Sequence, residues 1–196
     1  GTPFAFVHSR SNYPGKVIVD TLIDLPLVLP PAVAGFALLV LYGRMGLLGK
    51  YFHMMGISIA FTTLAVIIAQ IFVASPFYIR QAKSLFEQFD QNYEYTARTL
   101  GASPVRTFLT ITLPLTAGGL LSGAVMTFGR ALGEFGATIM FAGNLPGVTQ
   151  TMPLAVYVGM ESNFDMGLTI SILLVIISFI IMISVRLITR RGMPHA

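Results

Sequence analysis

Four stretches of this chain carry no Asp, Glu, Lys or Arg: Leu25 to Gly43, Ile57 to Ile79, Thr107 to Gly129 and Met166 to Val185. Each is close to the ~20 apolar residues that cover ~30 Å of hydrocarbon at ~1.5 Å per residue. In a bilayer every backbone polar group needs a partner within the protein, so runs of this length fold as helices. Charged residues make up 10% of the 196 positions, against ~25% in an ordinary soluble domain. The expectation is an all-α integral membrane protein with several spans. Cysteine is absent, which excludes disulfides and thiolate metal sites. The three histidines are isolated in sequence, so no metal site is expected.

Residues 1–16 read as the end of a membrane helix whose beginning is missing, followed by a cytoplasmic loop. Residues 17–191 read as one transmembrane domain, and 192–196 as a tail. Pro26, Pro30 and Pro31 break or kink the first span, because proline lacks the amide that a helix interior uses. Asp20 and Asp24, four apart on a lead-in helix, are expected to face water. Gly43 to Lys50 is rich in glycine, but five residues separate Gly43 from Gly49 and Tyr51 follows Lys50. A phosphate loop needs four residues there and Ser or Thr after the lysine, so this is a connecting loop. Gly119 and Gly123 allow close helix approach in the third span, and Gly129 with Gly133 continues the spacing. From Phe135 to Met160 the chain is uncharged but interrupted by Gly143-Asn-Leu-Pro-Gly147 and by Pro153. Partly embedded segments around a loop are expected there.

Basic residues set the orientation. Arg10, Lys16, Arg80, Lys83, Arg98, Arg106, Arg186, Arg190 and Arg191 fall on one side of the spans. Arg44 and Lys50 fall on the other, with Arg130 near the membrane. The richer side is cytoplasmic by the positive-inside rule, and it carries the polar segment of about residues 80–106 together with the C-terminus.

Within that segment, Ala97 and Leu100 share one face of a short helix, with Arg98 and Thr99 on the other. Gly101 stands where the helix ends, since glycine tolerates the left-handed conformation. Ser103 then serves as N-cap and Pro104 as first residue of a new helix leading into the third span.

Gly101, followed after nine residues by Ile111-x-Leu113-Pro114, has the spacing of the EAA loop in binding-protein-dependent ABC importer permeases. Ala97-Arg-Thr-Leu-Gly101, Thr110-Ile-Thr-Leu-Pro-Leu115 and Leu25-Pro-Leu-Val-Leu-Pro-Pro31 resemble the molybdate/tungstate branch. So do Arg130-Ala-Leu-Gly-Glu-Phe-Gly-Ala-Thr138 and Phe141-Ala-Gly-Asn-Leu-Pro-Gly147. The Arg130–Thr138 run is shared with sulfate permeases. The chain departs from the family pattern at Tyr95 and Thr96, which occupy the places of its Glu and first Ala, and Glu94 stands one position earlier. The resemblance implies a multi-span permease in which Glu94, Ala97, Arg98, Thr99, Leu100, Gly101, Ala102 and Ser103 couple to a separate ATP-binding cassette subunit, with Ile111, Leu113 and Pro114 closing the loop. It implies a homodimer in the cell membrane, an extracytoplasmic oxyanion-binding protein, and ATP and Mg2+ held by the ATPase partner, with no cofactor in this chain. No nucleic-acid partner is expected.

Arg130 and Glu134, four apart, can pair on a helix, and ionisable residues at membrane depth face the bundle interior or a water path. With Ser122, Thr127 and Thr138 as hydroxyl donors they are candidates for an oxyanion pathway. An outer-interface ion pair with a structural role is the equally weighted alternative. A membrane-embedded enzyme would need convergent acids or a metal set. An ion-coupled transporter would show several buried acids and inverted repeats. Neither pattern is visible in the sequence, and a sulfate permease is the nearer competitor.

Overall fold

The computed structural model describes residues 1–191, so the expected tail at 192–196 lies outside the described residues. In chain order the helices are α1 (Thr2–Arg10), α2 (Lys16–Val28), α3 (Pro31–Tyr42), α4 (Gly49–Met54), α5 (Thr63–Gln88) and α6 (Asn92–Thr99). Then come α7 (Pro104–Thr107), a π turn at Phe108–Thr112, α8 (Leu113–Leu132), α9 (Gly136–Ala142), α10 (Met152–Ser162) and α11 (Phe164–Arg191). Among the described residues there is no strand. The segments Thr63–Gln88, Pro104–Leu132 and Phe164–Val185 are each long and apolar enough to cross a membrane.

The first expected span is not straight. α2 and α3 meet at a bend of 117°, because Pro30 is extended and Pro31 opens α3. Pro26 is accommodated inside α2, buried against its neighbours. The expectation for Asp20 and Asp24 is corrected: neither acid is left to water alone. Asp20 Oδ1 lies 2.6 Å from Lys83 Nζ and 2.8 Å from His8 Nε2, and Asp24 Oδ1 lies 3.0 Å from Arg80 Nε. The acids spaced four apart on α2 meet bases spaced three apart on α5, both rows being single helix faces.

Helix α5 is the mast of the fold. Its first half packs Ala65, Val66, Ala69 and Val73 with Leu38 of α3 and Phe141 and Ala142 of α9. Its second half packs Ala82 and Phe86 with Ala5 of α1 and Leu120 of α8. Lipid is as apolar as these side chains, so the helices are held by close packing rather than by removal of surface from water. Small residues set the distances. A Cβ on Gly119 would sit 2.5 Å from Leu85 Cδ1, and one on Gly123 would sit 3.0 Å from Gln81 Cγ. The spaced glycines therefore do seat α8 on α5. Gly129 meets nothing within 4 Å, so the expected continuation of that seam is not used. On α3, a Cβ at Gly35 would fall 2.5 Å from the Ala137 carbonyl oxygen, which fixes α3 against α9.

The interrupted region from Phe135 to Met160 folds into short helices on either side of a turn. Helices α10 and α11 then form a tight hairpin, in which a Cβ on Gly159 would approach the Gly167 Cα to 2.7 Å. Along α11 the 18-residue apolar window is 0% buried within the chain. Its Ile and Leu side chains form a surface suited to lipid or to another membrane helix.

Candidate functional site

The polar segment closes over one end of the α1–α5–α8 packing. Asp90 Oδ1 accepts from the Asn92 amide at 2.9 Å, an Asx turn that leads the chain into α6. Glu94 in the first turn and Arg98 in the last both suit the helix dipole. The helix stops where glycine was expected to stop it. Gly101 has φ +86, and the Ala102 amide donates back to the Ala97 carbonyl at 3.0 Å. Ser103 Oγ then accepts from the Arg106 amide at 3.3 Å, with Pro104 in the first turn of α7.

The faces of α6 are divided sharply. Glu94 and Ala97, three apart, are buried, whereas Tyr93, Tyr95, Thr96, Arg98, Thr99 and Leu100 are exposed. Leu100 is 83% exposed at the C-terminal end. Ala102 is half-buried and Ser103 exposed. Of the coupling residues read from the sequence, Arg98, Thr99, Leu100 and Gly101 therefore lie outward, and Glu94 and Ala97 do not. The position facing outward beside them is Tyr95.

Glu94 is turned into the protein. Its Oε1 accepts from Arg10 Nη2 at 3.0 Å and from Thr112 Oγ1 at 3.1 Å. An unpaired carboxylate in this position would carry a desolvation penalty of several kcal/mol, which the guanidinium and hydroxyl offset. Arg10 also lies over the Phe6 ring at 5.9 Å, and Phe6 packs on Phe86 and Phe108. Arg10 and Thr112 are missed by a reading of the sequence. Arg10 registers there only as a charge for orientation, and Thr112 as one of many threonines.

The π turn explains how Thr112 reaches Glu94. The Leu113 amide bonds to the Phe108 carbonyl, a five-residue step that inserts one extra position into the helix. Thr107, Thr112 and Thr116 are all buried. On a regular α-helix residues five apart differ by about 140° in direction, so Thr107 and Thr112 would not share a face. The wider turn brings them together. Ile111 and Leu113 are half-buried around it, and Pro114 is exposed in the first turn of α8.

The second constellation sits at the far end of α8. Arg130 Nη1 lies 2.8 Å from Glu134 Oε2. Glu134, 1% exposed, also accepts from the Ala137 amide at 2.8 Å through Oε1. One carboxylate thus ties the end of α8 to the start of α9. The other candidates do not join this pair. Ser122 Oγ donates to its own helix at the Gly118 carbonyl, 3.0 Å away. Thr127 Oγ1 does the same to Gly123 at 2.9 Å. Thr138 is fully buried on α9, with Oγ1 lacking a hydrogen-bond partner. Thr127 does line a groove of about 460 Å3 between α5 and α8, together with Gln70, Ser75 and Tyr78. No group of three or more His, Cys, Asp or Glu placed to hold a metal occurs among the described residues.

Comparison with known proteins places these elements in a wider setting. Residues 1–192 match the family model described as binding-protein-dependent transport system inner membrane component. A molybdenum transport system permease protein, ModB, from Mycobacterium bovis is 44% identical over 187 residues, covering 94% of this chain and 70% of that protein. Its counterpart from Escherichia coli K12 is 43% identical over 187 residues, covering 92% of this chain and 82% of that protein. The sulfate transport system permease protein CysT from Synechocystis is 34% identical over 197 residues, covering 100% of this chain and 69% of that protein. Among solved structures, a chain of a bacterial ABC transporter involved in alginate import superposes with a TM-score of 0.73 at 14% identity. That likeness covers 97% of this chain and 71% of the other, and shows a shared fold.

Proposed function

The chain belongs to the family of binding-protein-dependent transport system inner membrane components, and from that premise we propose that it is the membrane-spanning permease of an ATP-driven importer for molybdate or tungstate. The observation that carries the substrate assignment is the 44% identity to a molybdenum permease over 94% of the chain. The sulfate permease reaches 34%, which makes sulfate the second reading. The permease works as a homodimer in the cell membrane, with the α6 side and the C-terminus in the cytoplasm. An extracytoplasmic binding protein delivers the oxyanion, and two ATPase subunits hold ATP and Mg2+.

The chain itself contributes surface and path. The outward face of α6, with Tyr93, Tyr95, Arg98, Thr99 and Leu100, is a projecting amphipathic element of the kind that lies in a cleft of a partner. Its leucine and tyrosines supply apolar contact, and Arg98 supplies a directional charge. Nucleotide-driven movement of the ATPase displaces α6 as a rigid body, and α7 and the π turn carry that displacement into α8. A path for a tetrahedral dianion needs hydroxyl and amide donors with little fixed positive charge, because a strong cationic site would retain the ion. The Gln70–Thr127 groove on α5 and α8 is mainly apolar, and its Gln70 and Thr127 donors are bonded to the Ala131 and Gly123 carbonyls, so it presents little fixed charge and few free donors. The Arg130–Glu134 pair, already neutralised and capping α9, acts as a brace at the outer end rather than as an ion ligand.

The test is ATP hydrolysis by the permease assembled with its ATPase in liposomes, with binding protein loaded in turn by molybdate, tungstate or sulfate. Stimulation by molybdate and tungstate alone is the expected result. Stimulation by sulfate alone would transfer the chain to the sulfate branch.

A further inference from the structure

The outward face of α6 accounts for how a partner could hold this helix, but not for how the helix holds the membrane domain. On either side α6 is joined by short non-helical links, 89–91 and 100–103. A push on a helix suspended between two such links would be absorbed by their φ/ψ freedom unless the inward face were fixed. Only two residues of α6 are buried, Ala97 and Glu94. Ala97 offers a methyl group. Glu94 offers both directional bonds, and they lead to different elements: Arg10 ends α1, 84 positions away in sequence, and Thr112 closes the π turn, 18 positions away. Both bonds end on the same oxygen atom, Oε1.

The π turn Phe108-Leu-Thr-Ile-Thr112 contains neither proline nor glycine, but Pro114 follows it and lacks the amide that would bond back to Thr110 within the turn. The turn sits where α6 abuts the mouth of the third span. Its effect is to swing Thr112 into line with Thr107 and beneath Glu94. The register of the span entrance and the anchoring of α6 are thus one feature.

We infer that Glu94 is a positioning residue which, through Arg10 and Thr112, clamps the coupling helix to α1 and to the π-turn entrance of α8, so that displacement of α6 is passed to two membrane elements at once. The inference rests on the reading that α6 meets an ATPase, and assigns Glu94 a role inside the permease rather than in that contact. Charge is essential to the clamp, since a buried guanidinium and carboxylate each need the other. Orientation across the pair is less so, because Thr112 Oγ can donate to a carboxylate or accept from a guanidinium.

The test uses the permease–ATPase complex in liposomes with loaded binding protein, comparing Arg10→Glu, Glu94→Arg, the double exchange and Thr112→Val. Two quantities are read: ATPase retained on purification, and oxyanion transported per ATP hydrolysed. Each single charge reversal is expected to retain the ATPase and to lower transport per ATP by about tenfold, with the double exchange restoring it to within about twofold. Thr112→Val, which leaves the charges paired, is expected to lower the same ratio by about threefold, and it carries the test if the reversals fail to assemble. Wild-type transport per ATP in the variants would overturn the inference. Loss of the ATPase from Glu94→Arg without recovery in the double exchange would overturn it too, by placing Glu94 in the docking contact. A wild-type complex without oxyanion-dependent hydrolysis would instead remove the importer reading itself.

Discussion

At the scale of single residues, two buried carboxylates tie elements together near the two ends of α8. Glu94 holds the surface helix and Glu134 holds α9, and each accepts one bond from an arginine and one from a neutral donor. Their consequences on substitution differ. Glu134→Ala leaves Arg130 without its partner and the Ala137 amide uncapped, a change expected to cost about 3 kcal/mol. Glu134→Gln keeps an oxygen for that amide and is expected to cost less than half as much. Thermal unfolding of the purified permease orders the two. Equal losses would show that the charge pair, not the cap, is what Glu134 supplies. The sequence is informative about Gly101, Ser103 and Pro104 because a helix stop and a helix start are local events, decided by φ preference and by a side chain reaching three residues ahead. It is uninformative about the partner of Glu94, because a bond to a residue 84 positions away leaves no trace in either local sequence.

At the scale of elements, the long uncharged runs translate directly into α5, the α7–α8 segment and α11, since hydrocarbon permits few alternatives. The spaced glycines of α8 do what their spacing suggests at Gly119 and Gly123 and nothing comparable at Gly129. The difference lies in whether α5 is opposite, which periodicity cannot report. The acids of α2 show the same limit. Their shared face is legible, but the facing bases Arg80 and Lys83 become partners only after the 117° bend folds the chain back. The π turn is the least legible element, because its five residues are compatible with an ordinary helix. Deleting Thr110 removes the extra position and should let the segment relax to a regular α-helix. Thr107 and Thr112 then stand four apart, which a regular helix also places on one face, so Thr112 still meets Glu94 and the register of α8 is kept. Retained ATPase binding, helical content and transport per ATP are expected, measured by co-purification, circular dichroism and uptake. A fall in transport with ATPase binding retained would show that the wider turn itself, and not only the Glu94 contact, is needed to move α8.

At the scale of the whole molecule, the chain is a stack built on one mast. The first half of α5 carries α3 and α9, the second half carries α1 and α8, and α6 sits across the second end. α11 stands outside, and the 18-residue apolar window of Phe164–Val185 is left unburied by the rest of the chain, a surface suited to lipid or to another membrane helix. In the proposed function the energy source is external and enters at α6, the projecting helix whose outward face a partner would hold. The central claim is that ATP hydrolysed by a partner drives an oxyanion across this membrane domain. Its most direct test is uptake of radiolabelled molybdate into liposomes that hold the permease–ATPase complex, with binding protein outside and ATP either enclosed or omitted. Accumulation above the external concentration only when ATP is enclosed and binding protein is present is the expected result. Accumulation without ATP, driven by an imposed ion gradient, would contradict the claim and make the chain an ion-coupled transporter.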